Sequence, residues 1–316
     1  MINNIEELFT FIVDSCINND IILRNMDNKE ELHLNYFIDE IKVNDVLSII
    51  ANTCTINEYS FSILRNKYAQ IKVILFDKYT DKTFTIIFFT QIPDSINSTL
   101  AKKHEKKVSL LSKLKIIPII GPDGVGKTTL TKQMAKDLNQ KIINIKFKRI
   151  IRRSTIYNIL YPINKWILGK KPEKNQHDDT HYLLSICAGL GFYPYLIFQT
   201  LLRKKFFLID RYFYDYLLKD ISYLDRTTYL REDWKKLLKF IPRSYLLVHL
   251  DADTRIILAR KKELTADDII KYRTLNFTLY LNNPSVIYLY VNTGIEIDQC
   301  KKIILSTLKE SNIIAK

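Results

Sequence analysis

Gly121-Pro122-Asp123-Gly124-Val125-Gly126-Lys127-Thr128 is the stretch on which the fold turns. It satisfies G-x-x-x-x-G-K-[ST] at every fixed position. An apolar run, Leu114–Ile120, leads into it, and a helical pattern from Lys127 to Asn139 leaves it. That strand–turn–helix context gives the spacing a physical meaning. Glycines let the backbone curl so that successive N–H groups face one anion, and the helix N-terminus adds a favourable dipole. Three of the seven glycines in the chain lie in this turn, and none precedes it. Gly121, Asp123, Gly124, Val125, Gly126, Lys127, Thr128 and Thr129 are therefore the candidate nucleotide-binding residues. The Lys127 ammonium would reach the β- and γ-phosphates, and the Thr128 hydroxyl would join a Mg²⁺ shell.

Working outward, three more short apolar runs follow: Lys205–Ile209 ending at Asp210, Tyr245–Leu250 ending at Asp251, and Val286–Val291. Helical patterns separate or follow them at 229–239, 254–262, 266–281 and 296–308. Alternating strands and helices predict an α/β fold, a P-loop doubly wound parallel sheet with helices on both faces. Functional groups should then gather at the carboxyl ends of the strands. Pro118, within the first of these strands, lacks a ladder donor and predicts a local bulge. No N-K-x-D follows a strand, so guanine recognition is unsupported.

The chain has 316 residues, 47% of them hydrophobic, with 48 Lys+Arg against 34 Asp+Glu and a formal net charge of +14. This excludes wholesale disorder and a small disulfide scaffold. Residues 1–100 hold 8 basic and 14 acidic side chains, whereas the other 216 hold 40 and 20. The shift predicts an N-terminal domain at 1–100, a charged linker at 101–113 and a P-loop domain at 114–316. The first reads as a smaller α+β domain, with helices at 5–17 and 46–51 and strands at 70–76 and 83–90. Its segments FIDEIKV and IKVILFD resemble the strand carboxylates of nucleotidyltransferase-like folds, but the Gly-Ser turn of those folds is missing. An accessory role is expected there. The cysteines, Cys16, Cys54, Cys187 and Cys300, form no C-x-x-C pair, as suits free thiols in a reducing cytoplasm. Glu6 and Glu7 interrupt any apolar leader.

GPDGVGKTT, the run LIDRY at Leu208–Tyr212, the run HLDADTRIILAR at His249–Arg260 and VIYLYVNT with its following helix occur in the order found in thymidylate kinases. Over about residues 114–310 the sequence resembles that family and its thymidylate kinase-like relatives. The resemblance implies ATP as phosphoryl donor with Mg²⁺. It places Asp123 beside the acceptor's sugar, Asp210 near the metal, Arg211 on an acceptor phosphate and Arg260 in a lid over the transferring group, with Lys261 or Lys262 in support. Lys127, Asp210, Arg211 and Arg260 are thus the candidate catalytic residues, and Thr128 and Asp210 the candidate metal ligands. After Tyr212 the chain continues Phe213-Tyr214-Asp215-Tyr216 without the family's Ser and Gln, and the segment after Arg260 has fewer arginines than the family lid. The acceptor therefore stays open: a nucleoside monophosphate, or another small anionic or sugar-containing molecule.

Two stretches admit other readings. Leu183–Leu202 is uncharged over twenty residues, but its glycines, proline and polar residues favour a buried helix and turn over a membrane span. Lys141–Lys174 holds ten basic residues and one acid, interleaved with Phe147, Tyr157, Tyr161 and Trp166. A solvated face, an anionic acceptor, a nucleic acid and an anionic surface all suit that composition. His177, Asp178, Asp179 and His181 read as a polar loop. The reading is an ATP-dependent phosphotransferase. The competing one is an ATP-binding switch or scaffold whose basic face holds a polymer or membrane surface. A homodimer is compatible with either.

Overall fold

The computed structural model describes residues 5–18, 24–25, 33–38, 42–65, 70–77, 83–89, 115–137, 142–147, 149–150, 158–159, 191–203, 205–214, 244–261, 264–282 and 287–310. The linker at 101–113, the 229–239 helix, the His177–His181 segment, Asp215, Lys262 and most of 141–174 lie outside them. Two compact units form. The first comprises Met1–Ser109, Val248–Ile256 and Pro284–Lys316, and the second Leu110–Leu247 and Ile257–Asn283. The break between Ser109 and Leu110 falls within 101–113, while 248–256 and 284–316 group with the N-terminal residues.

In the first unit, α1 (Ile5–Asn18) buries a stripe of Ile5, Leu8, Ile12 and Cys16, the spacing of one helix face. It packs on α2 (Val43–Ile56), which is longer than the 46–51 expected. The strands β1 (Arg24–Asn25), β2 (His33–Phe37), β3 (Ser60–Arg65), β4 (Gln70–Phe76), β5 (Thr83–Phe89) and β10 (Ile287–Asn292) lie in the order β1-β2-β5-β4-β3-β10. β2 runs parallel to β5, and β5, β4, β3 and β10 are successively antiparallel. β10 thus joins the N-terminal strands through β3, with Tyr290 opposite Phe61 and Leu289 opposite Ser62. The side chains reinforce this register, since Phe61 stacks on Tyr290 with ring centroids 5.1 Å apart. Behind β10, α7 (Ile297–Glu310) packs against that strand.

The second unit holds β6 (Ile116–Ile120), α3 (Lys127–Asp137), β7 (Ile142–Lys146), α4 (Tyr193–Ile197), a π-helical turn (Phe198–Leu202), β8 (Phe206–Asp210) and α6 (Ala266–Asn282). β9 (Leu246–Asp251) and α5 (Thr254–Arg260) are each divided between the units. β7 and β6 both pair parallel with β8, giving the order β7-β8-β6. β6 and β8 are buried at every position, as a parallel strand covered on both faces must be. α3 packs on β6, β7 and β8. All three strands therefore present their carboxyl ends on one edge.

Pro118 causes no bulge toward β8, where pairing runs unbroken from Ile116 to Ile119. Lys115 and Ile119 turn their carbonyls to β8 and accept from Phe207 and Arg211. Ile116 turns the other way and accepts from Tyr245 at 2.9 Å, and Pro118, two residues on, shares that side. Its missing donor is therefore not taken from the β6–β8 ladder.

In 193–202, Gln199 and Thr200 are buried while Tyr195, Phe198 and Leu202 are exposed. Among the described residues no helix is long and apolar enough to cross a membrane. Cys16, Cys54 and Cys300 are buried thiols, and burial pushes the Cys16 thiol up to about 11.

The Phe61–Tyr290 stack is the packing test of the first unit. Phe61→Ala, at a fully buried position, should lower stability by about 3–5 kcal/mol in chemical denaturation. A midpoint equal to wild type would contradict the β3–β10 pairing.

Candidate active site

The loop from Gly121 to Gly126 is shaped by backbone that other residues adopt poorly. Gly124 has φ +97° and Gly126 φ +94°. A Cβ on Gly124 would lie 3.1 Å from the Lys261 Cβ and 3.2 Å from the Ile257 carbonyl oxygen. A side chain there would meet both backbone strain and crowding. Val125 is fully buried and anchors the loop, while Thr129 is exposed on α3. Lys127 is buried, and its ammonium donates to the carbonyls of Gly121 at 2.6 Å and Pro122 at 2.7 Å. It also lies 3.4 Å from an Asp123 oxygen. The lysine thus closes the loop on itself and holds its charge at the centre.

Asp123 gathers three cations. Besides Lys127, the Arg211 guanidinium donates to its Oδ1, and the Lys261 ammonium is 3.5 Å from its Oδ2. Burial alone would raise the Asp123 carboxyl, but the Arg211 hydrogen bond and the charges of Lys127, Arg211 and Lys261 outweigh it. The carboxyl is held well below the usual carboxylate range and stays ionised. Arg211 thus forms an ion pair with Asp123.

Arg211 is one of two non-glycine residues with positive φ among the described residues, at +68°. That conformation costs on the order of 1–3 kcal/mol and persists only where neighbours impose it. Here they do so on three sides. The Arg211 N–H donates to the Ile119 carbonyl at 3.0 Å, the guanidinium is tied to Asp123, and Tyr212 is buried in an aromatic cluster. Phe147, just after β7, packs against Tyr212 at 5.7 Å and Phe213 at 4.6 Å between centroids.

Because β6 and β8 are adjacent, their carboxyl ends bring Thr128 and Asp210 together. The Thr128 hydroxyl donates to Asp210 Oδ2 at 3.1 Å, though 82 positions separate them. Asp210 is buried, and the Lys146 ammonium at the end of β7 lies 4.0 Å from the same oxygen. Hydroxyl and carboxylate are hard oxygen donors. Mg²⁺, which takes one or two carboxylates together with phosphate oxygens, fits this pair. Among the described residues no group of three or more His, Cys, Asp or Glu forms a self-sufficient metal cage.

Of the residues expected from sequence, Lys127, Thr128, Asp123, Asp210 and Arg211 come together at one edge of the parallel strands. Arg260 is exposed in the last turn of α5, and it is Lys261, one residue on, that reaches Asp123. Lys146 was not singled out from sequence, because β7 lies inside the basic 141–174 stretch. Only strand pairing, which puts Lys146 opposite Asp210, identifies it. Asp251 accepts from the Ala252 N–H at 2.8 Å and the Tyr290 hydroxyl at 3.1 Å, as a buried structural acid.

Residues 117–176 match the family model described as the ATPase family associated with various cellular activities (AAA). The chain has an α/β P-loop NTPase fold. Among curated proteins none matches the chain. The matched segment carries all of β6 but its first residue, the loop, α3 and β7, so the comparison and the geometry agree on nucleotide phosphates as what this loop is built to hold.

Asp123→Asn tests the electrostatics of this P-loop. Since the folded carboxyl lies below its unfolded value of about 4, its stabilising effect is present above about pH 4 and lost as pH falls through the folded value. The variant should be less stable than wild type at pH 7, and the gap should narrow on acidification. Denaturant midpoints across pH measure this; a gap independent of pH would contradict it.

Proposed function

We propose that the chain is an ATP-dependent, Mg²⁺-requiring phosphotransferase that moves the γ-phosphoryl of ATP to a small anionic acceptor. A nucleoside monophosphate is the leading candidate. The observation that carries this reading is the cation-rich site: among the described residues Lys127, Arg211, Lys261 and Lys146 gather within 4.0 Å of Asp123 or Asp210. Phosphoryl transfer asks for positioning and charge neutralisation more than covalent chemistry. In this reading the loop N–H groups and Lys127 hold the donor phosphates, with the N-terminus of α3 beneath them. Thr128 and Asp210 would hold Mg²⁺, which would supply charge neutralisation at the transferring phosphate. Arg211 and Lys261, kept in place by Asp123, bring positive charge to the transferring group and to the acceptor. The order of motifs shared with thymidylate kinases supports the same reading.

The AAA match over 117–176 favours a second reading, an ATP hydrolase or ATP-gated switch. Hydrolysis needs a group that orients or deprotonates water at the γ-phosphate. Asp123 is poorly suited to that work, since a carboxylate held far below its usual range is a weak base. Asp210 is committed to Thr128. An acceptor phosphate, already ionised, needs no base at all. On that difference the transferase reading is preferred. A cytoplasmic location suits it, as does a monomer or a homodimer.

The deciding assay is Mg²⁺-ATP turnover against a panel of nucleoside monophosphates, nucleosides and phosphorylated sugars. Acceptor-dependent ADP release is expected, falling about a hundredfold or more in Lys127→Ala. ATP consumption at one rate whatever the acceptor would favour the switch. Absence of ATP binding by the wild type would overturn both readings.

A further inference from the structure

Lys146 is not accounted for by the roles above. Its side chain is 53% exposed and its contact with Asp210, at 4.0 Å, is at the limit of an ion pair. A contact of that length from a half-exposed ammonium contributes little to stability. Yet its position is closely held. Ile142 to Lys146 pair in register with Phe206 to Asp210, and the next residue, Phe147, is buried against Tyr212 and Phe213. Lys146 and Arg211 each precede an aromatic of this one cluster, so packing ties the backbone of the two cations together. A buried anchor beneath an exposed ammonium is the arrangement expected of a cation kept in place for a ligand.

The strand order says which ligand. β8 lies between β6 and β7, so Asp210 separates the phosphate loop, at the end of β6, from Lys146, at the end of β7. In the phosphotransferase reading, donor phosphates on the loop would lie on the β6 side of Asp210. Lys146 reaches the same Asp210 oxygen as Thr128 but from the β7 side, away from the loop, where it is placed to meet an acceptor. We propose that Lys146 is a specificity-determining residue for the acceptor: its ammonium receives the acceptor's phosphate and so favours phosphorylated acceptors over neutral hydroxyl compounds or water. The inference rests on the phosphotransferase reading. Lys146 touches the substrate's anion and leaves the donor untouched.

The probe is di(adenosine) pentaphosphate, whose phosphate chain spans donor and acceptor seats, compared with Mg²⁺-ATP by titration calorimetry on the full chain. Wild type should bind the probe about tenfold or more tighter than ATP. Lys146→Gln should weaken the probe by about tenfold or more while ATP affinity stays within about twofold, and Lys146→Arg should restore most of the loss. A probe affinity unchanged in Lys146→Gln, in a protein whose wild type does prefer the probe, would overturn the role of Lys146 and leave the phosphotransferase reading standing. Equal weakening of probe and ATP would assign Lys146 to the donor and overturn the proposal. A wild type that binds the probe no better than ATP would count against the two-seat reading itself, and the proposal with it.

Discussion

The hydrogen bond from Thr128 to Asp210 is the contact on which the site depends. It exists because β6 and β8 are immediate neighbours and parallel, so both chains leave the sheet at one edge. A strand between them would move Asp210 about 4.8 Å further away. The burial of β6 and β8 at every position is that of interior strands covered on both faces, which keeps both within the sheet. Sequence-local features alone, the glycines and the lysine, would give a loop that holds phosphate. Pairing with β8 adds a buried carboxylate beside the Thr128 hydroxyl, the oxygen pair to which the proposed function assigns Mg²⁺.

Asp123 organises the other half of the site. A lone carboxylate between three cations is a bridge, and it holds Lys127, Arg211 and Lys261 at mutually close positions that their own charges would resist. The left-handed backbone at Arg211 is part of the same device. Strain stored there is offset by a ladder hydrogen bond, a buried Tyr212 and the Asp123 contact. The resulting surplus of positive charge suits phosphate oxygens in a partly dehydrated setting, where such charges act more strongly than in water.

Much of this was legible in the residues, and the reasons are physical. The phosphate loop is local, with the conformation it needs written in its glycine spacing. Asp210 and Arg211 could be found because a short apolar strand ends at them. Arg260 and Lys261 could not be told apart, because which cation faces Asp123 depends on where α5 ends and how it packs. β7 was hidden by the charges around it. β3 was hidden by Ser60 and Ser62, polar residues that are nonetheless buried; Ser60 accepts the backbone N–H of Asn292 at 3.1 Å, a partner 232 positions away. The pairing of β10 with β3 likewise could not be read from a strand that suits a parallel sheet equally well by composition.

The central claim is that Thr128 and Asp210 join the donor phosphates to Mg²⁺, and the Mg²⁺ dependence of ATP binding in wild type and Asp210→Asn tests it most directly. The account predicts that Mg²⁺ tightens ATP binding by about tenfold in wild type. That gain should disappear in Asp210→Asn, while metal-free ATP affinity is retained through Lys127 and the loop. An undiminished Mg²⁺ effect in the variant would contradict the account.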